Sequence, residues 1–288
     1  MQKTYKKYFA LFVLPTLIAF TLFFIVPFIM GIVLSFCKFT TVTNAHWVGI
    51  ANYVKAFSNK DFMNALLFTV KFTVVSVITI NVISFALAYG LTRGLKGTNI
   101  FRTIFFMPNL IGGIVLGYIW QLLINGVLAH FNVTITADPK YGFWGMVILT
   151  NWQLIGYMMI IYIAGIQNIP TELIEAAEID GASKFQIFKS ITFPQILLIM
   201  APSLIQQFIG NINNFNVIYF LTGGGPKNSE YYQAGSTDLL VTWLYKLTVS
   251  AKDYNLASVI GILIFAISAT FSLLAYTRSS SFKEGAAK

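Results

Sequence analysis

The sequence predicts an all-α protein that crosses a membrane about six times and carries one structured element outside the lipid. Two features of the composition support this prediction. Only 10% of the residues are charged and 57% are hydrophobic, whereas soluble domains carry about 25% charged residues. The hydrophobic residues are also gathered into uncharged runs that reach the length of about 20 residues a helix needs to cross a bilayer. Each run is therefore a candidate membrane-spanning helix.

The predicted spans cover residues 9–36, 67–92, 104–125, 143–168, 194–220 and 254–277. Pro15, Pro27 and Pro202 lie inside these runs and predict kinks, which membrane helices tolerate where neighbouring groups take up the freed carbonyls. The first run follows a short basic segment, as a secretory signal would. It is much longer than a signal core of about 7–15 residues and lacks a small-residue cleavage pattern, so we expect a retained helix.

Six spans put both termini on one side, and the basic residues indicate which side this is, because Lys and Arg are retained in the cytoplasm. With the N-terminus inside, the cytoplasmic basic residues are Lys3, Lys6, Lys7, Arg93, Lys96, Arg102, Lys184, Lys189, Arg278, Lys283 and Lys288. The opposite side has fewer, over longer loops: Lys38, Lys55, Lys60, Lys71, Lys140, Lys227, Lys246 and Lys252. We therefore expect a cytoplasmic N-terminus over residues 1–8 and a single transmembrane domain over residues 9–288, with both termini cytoplasmic.

Composition also argues against several function classes. The net charge of +9 would suit a nucleic-acid partner, but the basic residues lie between the apolar runs, where they set orientation. His46 and His130 have no acidic or cysteine neighbour at metal-ligand spacing, so we expect neither a metal site nor an enzyme. The lone Cys37 cannot form an internal disulfide. No Walker A motif is present, so any ATP must be hydrolysed by another subunit.

The polar segment between the fourth and fifth spans, residues 169–193, holds four of the ten acidic residues of the chain. Its composition favours helix, yet it is too polar for lipid. We predict two short cytoplasmic helices joined at Gly181, which can adopt the left-handed conformation that ends a helix. Ile174, Ala177 and Gly181 are expected on one face, where small residues allow another surface to approach closely. An amphipathic helix in the headgroup region is the plainer interpretation, but that predicts basic residues on the polar face.

This segment resembles the EAA loop of permease subunits in bacterial binding-protein-dependent ABC importers. The resemblance is carried by Glu175-Ala176-Ala177, Asp180-Gly181-Ala182, Phe188, Ile191 and Pro194. In that family the loop is a coupling helix that docks in a cleft of the cytoplasmic ATPase, so the resemblance assigns the ATPase contact to Glu175, Ala176, Ala177, Asp180 and Gly181. Phe193 stands where the family usually has Leu.

Between about Phe72 and Tyr276 the chain is most similar to the larger permease subunit of maltose and maltodextrin importers. The supporting stretches are residues 211–215 (NINNF), 221–226 (LTGGGP) and 234–240 (AGSTDLL). The enterobacterial form of that subunit has additional N-terminal helices and a periplasmic insertion that this chain lacks. The resemblance implies a second permease, two ATPase subunits that bind ATP and Mg²⁺, an extracytoplasmic sugar-binding protein and a place in the bacterial inner membrane. No cofactor is expected on this chain itself.

A sugar is uncharged, so its site needs amides, hydroxyls and aromatic faces. The fifth predicted span offers Gln206, Gln207, Asn211 and Asn214, with Asn211 and Asn214 on one helix face. Such amides either face a pathway or join helices to each other. The resemblance favours sugar contacts for Asn211 and Asn214 and adds Tyr157, while Gln207 is evenly balanced between the two roles. Trp120 and Gln121 are further candidates for which interfacial packing is an equal explanation.

An ion-coupled secondary transporter or channel is the main alternative function. Ion coupling usually leaves carboxylates, histidines or arginines within the spans, and beyond Lys71 the predicted spans contain none. The run Gly223-Gly224-Gly225-Pro226 could suggest a phosphate loop, but no Lys-Ser or Lys-Thr pair follows it. We expect an outer turn there, and by resemblance a contact with the binding protein.

Overall fold

The computed structural model describes residues 2–225 and 235–278, which are almost entirely helical. The all-α prediction is confirmed. Part of the predicted outer loop, including Pro226, Lys227 and Ala234, lies outside the described residues. So do Met1 and the C-terminal segment with Lys283 and Lys288.

The first apolar run is interrupted before its second proline. Helix α1 (Gln2–Phe20) is followed by a π-helical turn at Thr21–Ile25 and by α2 (Val26–Ser35). Pro27 has no N–H to donate and its ring clashes with the preceding turn, so a wider turn there is physically expected. A short antiparallel pair, β1 (Cys37–Lys38) and β2 (His46–Trp47), precedes α3 (Ala51–Phe57).

Helix α4 (Lys60–Leu91) begins earlier than the span predicted from residue 67. At about 1.5 Å per residue its 32 residues extend well beyond the ~30 Å of hydrocarbon. Lys71 lies with its Nζ 4.6 Å from the centre of the Phe143 ring, and Arg93, just after the helix, stacks on Tyr89 at 4.3 Å. The helix therefore begins before Lys71, the single cation that the predicted span contained.

The predicted helix over residues 104–125 is wrong, because the chain breaks within it. Helix α5 (Thr98–Phe106) ends in a 3₁₀ turn at Met107–Leu110, and α6 (Gly113–Leu128) starts anew. Pro108 cannot continue the α-helical hydrogen bonding, and Gly112 and Gly113 weaken any continuation. Helix α7 (Pro139–Gln167) lies where a span was predicted.

The chain after α7 is more divided than predicted. Two short helices, α8 (Thr171–Ile179) and α9 (Lys184–Ile187), lead through a π-helical turn at Phe188–Thr192 into α10 (Phe193–Ile212). The single helix predicted over 194–220 is wrong, since α11 (Phe215–Thr222) is separate. The described chain ends with α12 (Leu240–Lys246), a π-helical turn at Leu247–Ala251 and α13 (Tyr254–Arg278).

Within the described residues, five helices are long and apolar enough to cross a membrane. They are Leu11–Ser35, Lys60–Leu91, Gly113–Phe131, Pro139–Gln167 and Tyr254–Thr277. A sixth span results if the pair Lys184–Leu197 and Pro202–Ile212, which meet at 57°, is counted as one. The bend lies over residues 198–201, directly before Pro202, where a kink was predicted.

The chain divides into two compact units. One contains the chain up to Lys60 together with Leu244–Leu263. It is held by an ion pair of 3.6 Å between Lys55 and Asp253 and by the Asn255 side chain, which accepts from the Phe39 N–H at 2.8 Å. The other unit contains Asp61–Trp243 and the described residues from Ile264 onward, and it holds every predicted functional residue.

Two apolar cores follow one another along α4 in this second unit. The first packs Phe72 of α4 against Met146 of α7 and Leu221 of α11, and the second packs Ile80 against Met159 of α7 and Ile196 of α10. Residue numbers increase in the same direction along α4 and α7, so these two helices run parallel. Parallel packing is what the second and fourth spans of an alternating bundle require.

Candidate functional site

The segment formed by α8 and α9, residues 171–187 (the α8–α9 segment), is largely solvent-exposed. Ile179 is 87% exposed and Phe185 is 70% exposed. Of the residues assigned to ATPase contact, Glu175, Ala176 and Asp180 are exposed. Ala177, like Ile174, is half-buried, whereas Gly181 is exposed. The three residues predicted to lie on one face, Ile174, Ala177 and Gly181, therefore differ in exposure.

Local hydrogen bonds end α8 and start α9. Gly181 has φ +78° and is the left-handed residue predicted there. The Ala182 N–H donates to the Ala177 carbonyl at 2.9 Å and the Gly181 N–H donates to the Glu178 carbonyl at 3.0 Å, which is a Schellman motif. At the start of α9, Ser183 Oγ accepts from the Gln186 N–H, and Gln186 Oε1 accepts from the Ser183 N–H at 2.7 Å. The turn is thus fixed without contacts from outside the segment.

The acidic residues in and directly after α8 do not all lie where they would stabilise the helix. Glu172 lies in the first turn, where the helix dipole favours a carboxylate. Glu178 and Asp180 lie at the opposite end, where the dipole favours a cation. None of these carboxylates forms an ion pair with another described residue. An acidic, exposed helix end of this kind is suited to meet a complementary surface on another molecule.

The predicted sugar-binding residues do not all share one face. The helix ends between Asn211 and Asn214, because α10 stops at Ile212 and α11 starts at Phe215. Asn213 donates its side-chain N–H to the Ile209 carbonyl at 2.9 Å, a local bond of the kind by which Asn competes with helix hydrogen bonding. Asn214 is half-buried with ψ 78°, outside the helical region. The inference of a common helix face is therefore wrong.

Asn211 and Gln207 are one turn apart and are both buried. Asn211 is 1% exposed, and neither its Nδ2 nor its Oδ1 has a partner among the described residues. Gln207 is 5% exposed; its Oε1 is bonded and its Nε2 is not. Buried polar atoms are rarely left unpaired. These amides are therefore capable of receiving a ligand or water once the surrounding helices separate.

A buried polar network joins Gln207 to two residues that the sequence analysis did not single out. The Tyr162 hydroxyl donates to Asn81 Oδ1, and Asn81 Nδ2 donates to Gln207 Oε1 at 2.8 Å and to the Val77 carbonyl at 2.6 Å. We call Tyr162, Asn81 and Gln207 the polar centre. It links α7, α4 and α10. The isolated amide of Asn81 inside an apolar span was the available sequence signal.

Tyr157 lies beside Gln206, not Gln207. Its hydroxyl and the Gln206 amide are 3.3 Å apart, and Gln206 is exposed. The preceding Gly156 lets α5 cross α7 closely, because a Cβ at this position would lie 1.8 Å from the Phe105 carbonyl oxygen. Tyr157 is thus held at a crossing that only glycine permits.

The weaker candidates have structural partners. The Trp120 and Trp152 rings lie 5.3 Å apart, and Gln121 Nε2 donates to the Leu221 carbonyl at 3.0 Å. Gln121 therefore joins α6 to α11.

The described part of the predicted outer loop is folded onto the helices. Thr237 donates to the Gly225 carbonyl at 2.7 Å, and the Leu240 N–H donates to Thr69 Oγ1 at 2.9 Å. Asp238 is fully buried, and its carboxylate accepts from the Gly235 N–H and the Thr242 hydroxyl. No group of three or more His, Cys, Asp or Glu residues in the described ranges is arranged to hold a metal ion.

Comparison with known proteins finds a matching family model and similar permeases. The family model described as "Binding-protein-dependent transport system inner membrane component" matches residues 80–281. The chain is 34% identical to the probable starch degradation products transport system permease protein of Thermoanaerobacterium thermosulfurigenes, over 92% of this chain and 91% of that protein. It is 32% identical to the galactooligosaccharides transport system permease protein of Bacillus subtilis, over 83% of this chain and 61% of that one.

A solved structure shares the fold. A chain of a bacterial ABC transporter involved in the import of the acidic polysaccharide alginate superposes with a TM-score of 0.79 and 22% identity, covering 97% of this chain and 98% of that chain.

Proposed function

The chain belongs to the family of binding-protein-dependent transport system inner membrane components, and we propose that it forms half of the translocation pathway of an ATP-driven importer for a maltodextrin-like oligosaccharide. It is a sugar ABC importer permease of the inner membrane, and permeases of this family are not catalytic. The proposed partners are a second similar permease, two ATPase subunits that bind ATP and Mg²⁺, and an extracytoplasmic sugar-binding protein.

The exposure of the α8–α9 segment carries this proposal. A helix whose last residue is an 87% exposed isoleucine, and whose three carboxylates form no ion pair with another described residue, gains little from its own chain. In the proposed complex it docks in the ATPase through Glu175, Ala176, Ala177, Asp180 and Gly181. Closure of the ATPase pair on ATP would then move this segment and rock the helix bundle between inward-facing and outward-facing states. The proposal places the segment and both termini in the cytoplasm.

The proposed sugar contacts are Asn211, Asn214, Tyr157 and Gln207. All four are uncharged and offer the amide, hydroxyl and aromatic groups that a neutral sugar needs. Asn211 is closed off in this conformation, so a sugar would reach it only in another state of the alternating cycle. Buried amides without partners support such a role, because a sugar hydroxyl or water would satisfy them.

The substrate class rests on the names of the relatives. One is described as carrying starch degradation products, which suits a maltodextrin, and another as carrying galactooligosaccharides. The two names mention different sugars. A sugar is therefore the substrate class, and a maltodextrin is the member that we propose.

The test is uptake by the complex purified from its native membrane through a tag on this chain and reconstituted in liposomes. With ATP inside and the binding protein outside, we expect uptake of radiolabelled maltotriose that stops when a non-hydrolysable ATP analogue replaces ATP. Uptake driven by a proton or sodium gradient without ATP would establish the rival ion-coupled transporter. ATP-driven uptake of a galactooligosaccharide but not of maltotriose would retain the transporter and overturn the proposed substrate.

A further inference from the structure

The exit from the α8–α9 segment leads directly into an aromatic cluster. Phe188 opens the π-helical turn and lies against two rings of α4, with centroids 6.0 Å from Phe85 and 5.1 Å from Tyr89. Phe193, at the start of α10, lies 6.1 Å from Phe85 and 5.9 Å from Phe188. Any displacement of the segment that moves Phe188 must therefore move it against α4.

The aromatic cluster continues into the polar centre. The Phe85 ring meets the Tyr162 ring edge-on at 6.1 Å. Tyr162 is fully buried and its hydroxyl donates to Asn81, which in turn donates to Gln207. Tyr162 therefore joins the two clusters, because its ring packs against Phe85 and its hydroxyl donates a hydrogen bond to Asn81.

Each hydrogen bond of the polar centre has a defined donor and a defined acceptor. Asn81 accepts through its oxygen and donates through its nitrogen, so turning its amide would break both bonds to its neighbours. Gln207 is bonded through Oε1 and carries an unpaired Nε2 one helical turn from Asn211, whose amide is also unpaired. A rotation of the Asn81 amide therefore changes which atoms of Gln207 are free, and a rotation of Tyr162 removes one of the bonds that hold that amide in place.

The π-helical turn at Phe188–Thr192 is a place where the register of the helical hydrogen bonds can change. Single π turns within α-helices recur at functional sites, because the extra residue can be accommodated or released locally. Here the turn lies between the exposed segment and α10, the helix that carries Gln207 and Asn211.

We propose that Phe188, Phe85, Tyr162, Asn81 and Gln207 form one connection that transmits motion of the α8–α9 segment to the amides of α10. Phe188, Phe85, Tyr162 and Asn81 are positioning residues, and Gln207 is the proposed sugar contact on which they act. The inference rests on the proposed function, since it concerns how ATP hydrolysis is linked to sugar movement.

The decisive variant is Tyr162→Phe, which removes the hydroxyl and keeps the ring against Phe85. In the reconstituted complex, we expect the number of maltotriose molecules imported per ATP hydrolysed to fall at least threefold. A loss of assembled or active complex lowers uptake and hydrolysis together and leaves that ratio unchanged. Tyr53→Phe is the matched control, because it removes a hydroxyl that contacts Ser35 Oγ at 2.7 Å in the other unit; its ratio should equal that of the wild type.

A second variant tests whether the aromatic and polar halves act together. Phe188→Leu should also lower the ratio, and the double variant Phe188→Leu with Tyr162→Phe should be no worse than the poorer single variant, because one connection can be broken only once. If Tyr162→Phe prevents assembly, Phe188→Leu alone decides the question, since it leaves the polar centre intact.

Two results would overturn the inference: a wild-type ratio in the assembled single variants, or effects that multiply in the double variant. A wild-type complex without ATP-driven uptake would instead contradict the proposed function, before any variant is compared.

Discussion

Polar groups are satisfied over short distances along the chain in the α8–α9 segment and over long ones in the polar centre. The caps at Gly181 and Ser183 use partners no more than five positions away. The polar centre joins residues 81, 162 and 207 from three helices. The segment that we propose to engage another protein keeps its shape through local hydrogen bonds, whereas the interior depends on the arrangement of the whole bundle.

This difference predicts that substitutions in the interior lower the stability of the protein most. In Gly156→Ala the new Cβ would lie 1.8 Å from the Phe105 carbonyl oxygen, which is backbone and cannot rotate away. We expect a loss of about 3 kcal/mol of stability, measured as thermal unfolding in detergent. Gly126→Ala in α6 is the control, because no atom lies within 4 Å of its Cβ position. Equal stability of the two variants would show that the α5–α7 crossing is looser than described.

Breaking the polar centre should have the next largest effect. Asn81→Ala removes the partner of both the Tyr162 hydroxyl and Gln207 Oε1, and leaving buried polar groups unpaired costs about 2 kcal/mol. The same unfolding measurement checks this. Asn213→Ala is the control, since Asn213 is exposed and bonds only within its own helix; it should change stability by less than about 0.5 kcal/mol. A neutral Asn81→Ala would show that the polar centre does not hold the helices together.

Asn214→Ala separates ligand binding from stability. If Asn214 donates to or accepts from a sugar, removal of its amide should raise the KM for sugar uptake about tenfold, as expected for about 1.4 kcal/mol of lost hydrogen bonding. Assembly should survive, and Asn213→Ala again serves as the neighbouring control. Unchanged uptake kinetics for every oligosaccharide tested would assign Asn214 to helix packing.

The smallest effect on global stability is expected in the α8–α9 segment. Gly181→Ala introduces a Cβ at φ +78°, which costs about 1 kcal/mol, while Gly181→Asn should be tolerated better in this conformation. Because the turn is exposed, we expect little change in unfolding temperature but reduced co-purification of the ATPase with Gly181→Ala. A drop in unfolding temperature as large as that of Asn81→Ala would contradict the independence of this segment.

The contrast between local and long-range hydrogen bonding also explains which features could be predicted from the sequence. The spans other than those predicted over 104–125 and 194–220, the glycine turn at Gly181 and the bend directly before Pro202 follow from hydropathy and from residues whose backbone preferences act locally. The break between Asn211 and Asn214 was missed, because a hydropathy pattern continues across two asparagines that interrupt the backbone. The polar centre was missed for a different reason. Which of several amides in apolar spans face one another depends on helix rotation and packing, and single-helix periodicity does not contain that information.

The most direct test of the account is the side of the membrane on which α8 lies. Cys37 is the only cysteine and is buried, so Cys37→Ser with Ile179→Cys gives a single exposed thiol on α8. A membrane-impermeant maleimide should label this thiol in inside-out vesicles stripped of the ATPase, and bound ATPase should protect it. Labelling from the outside of intact cells, or labelling that bound ATPase leaves unchanged, would contradict the account.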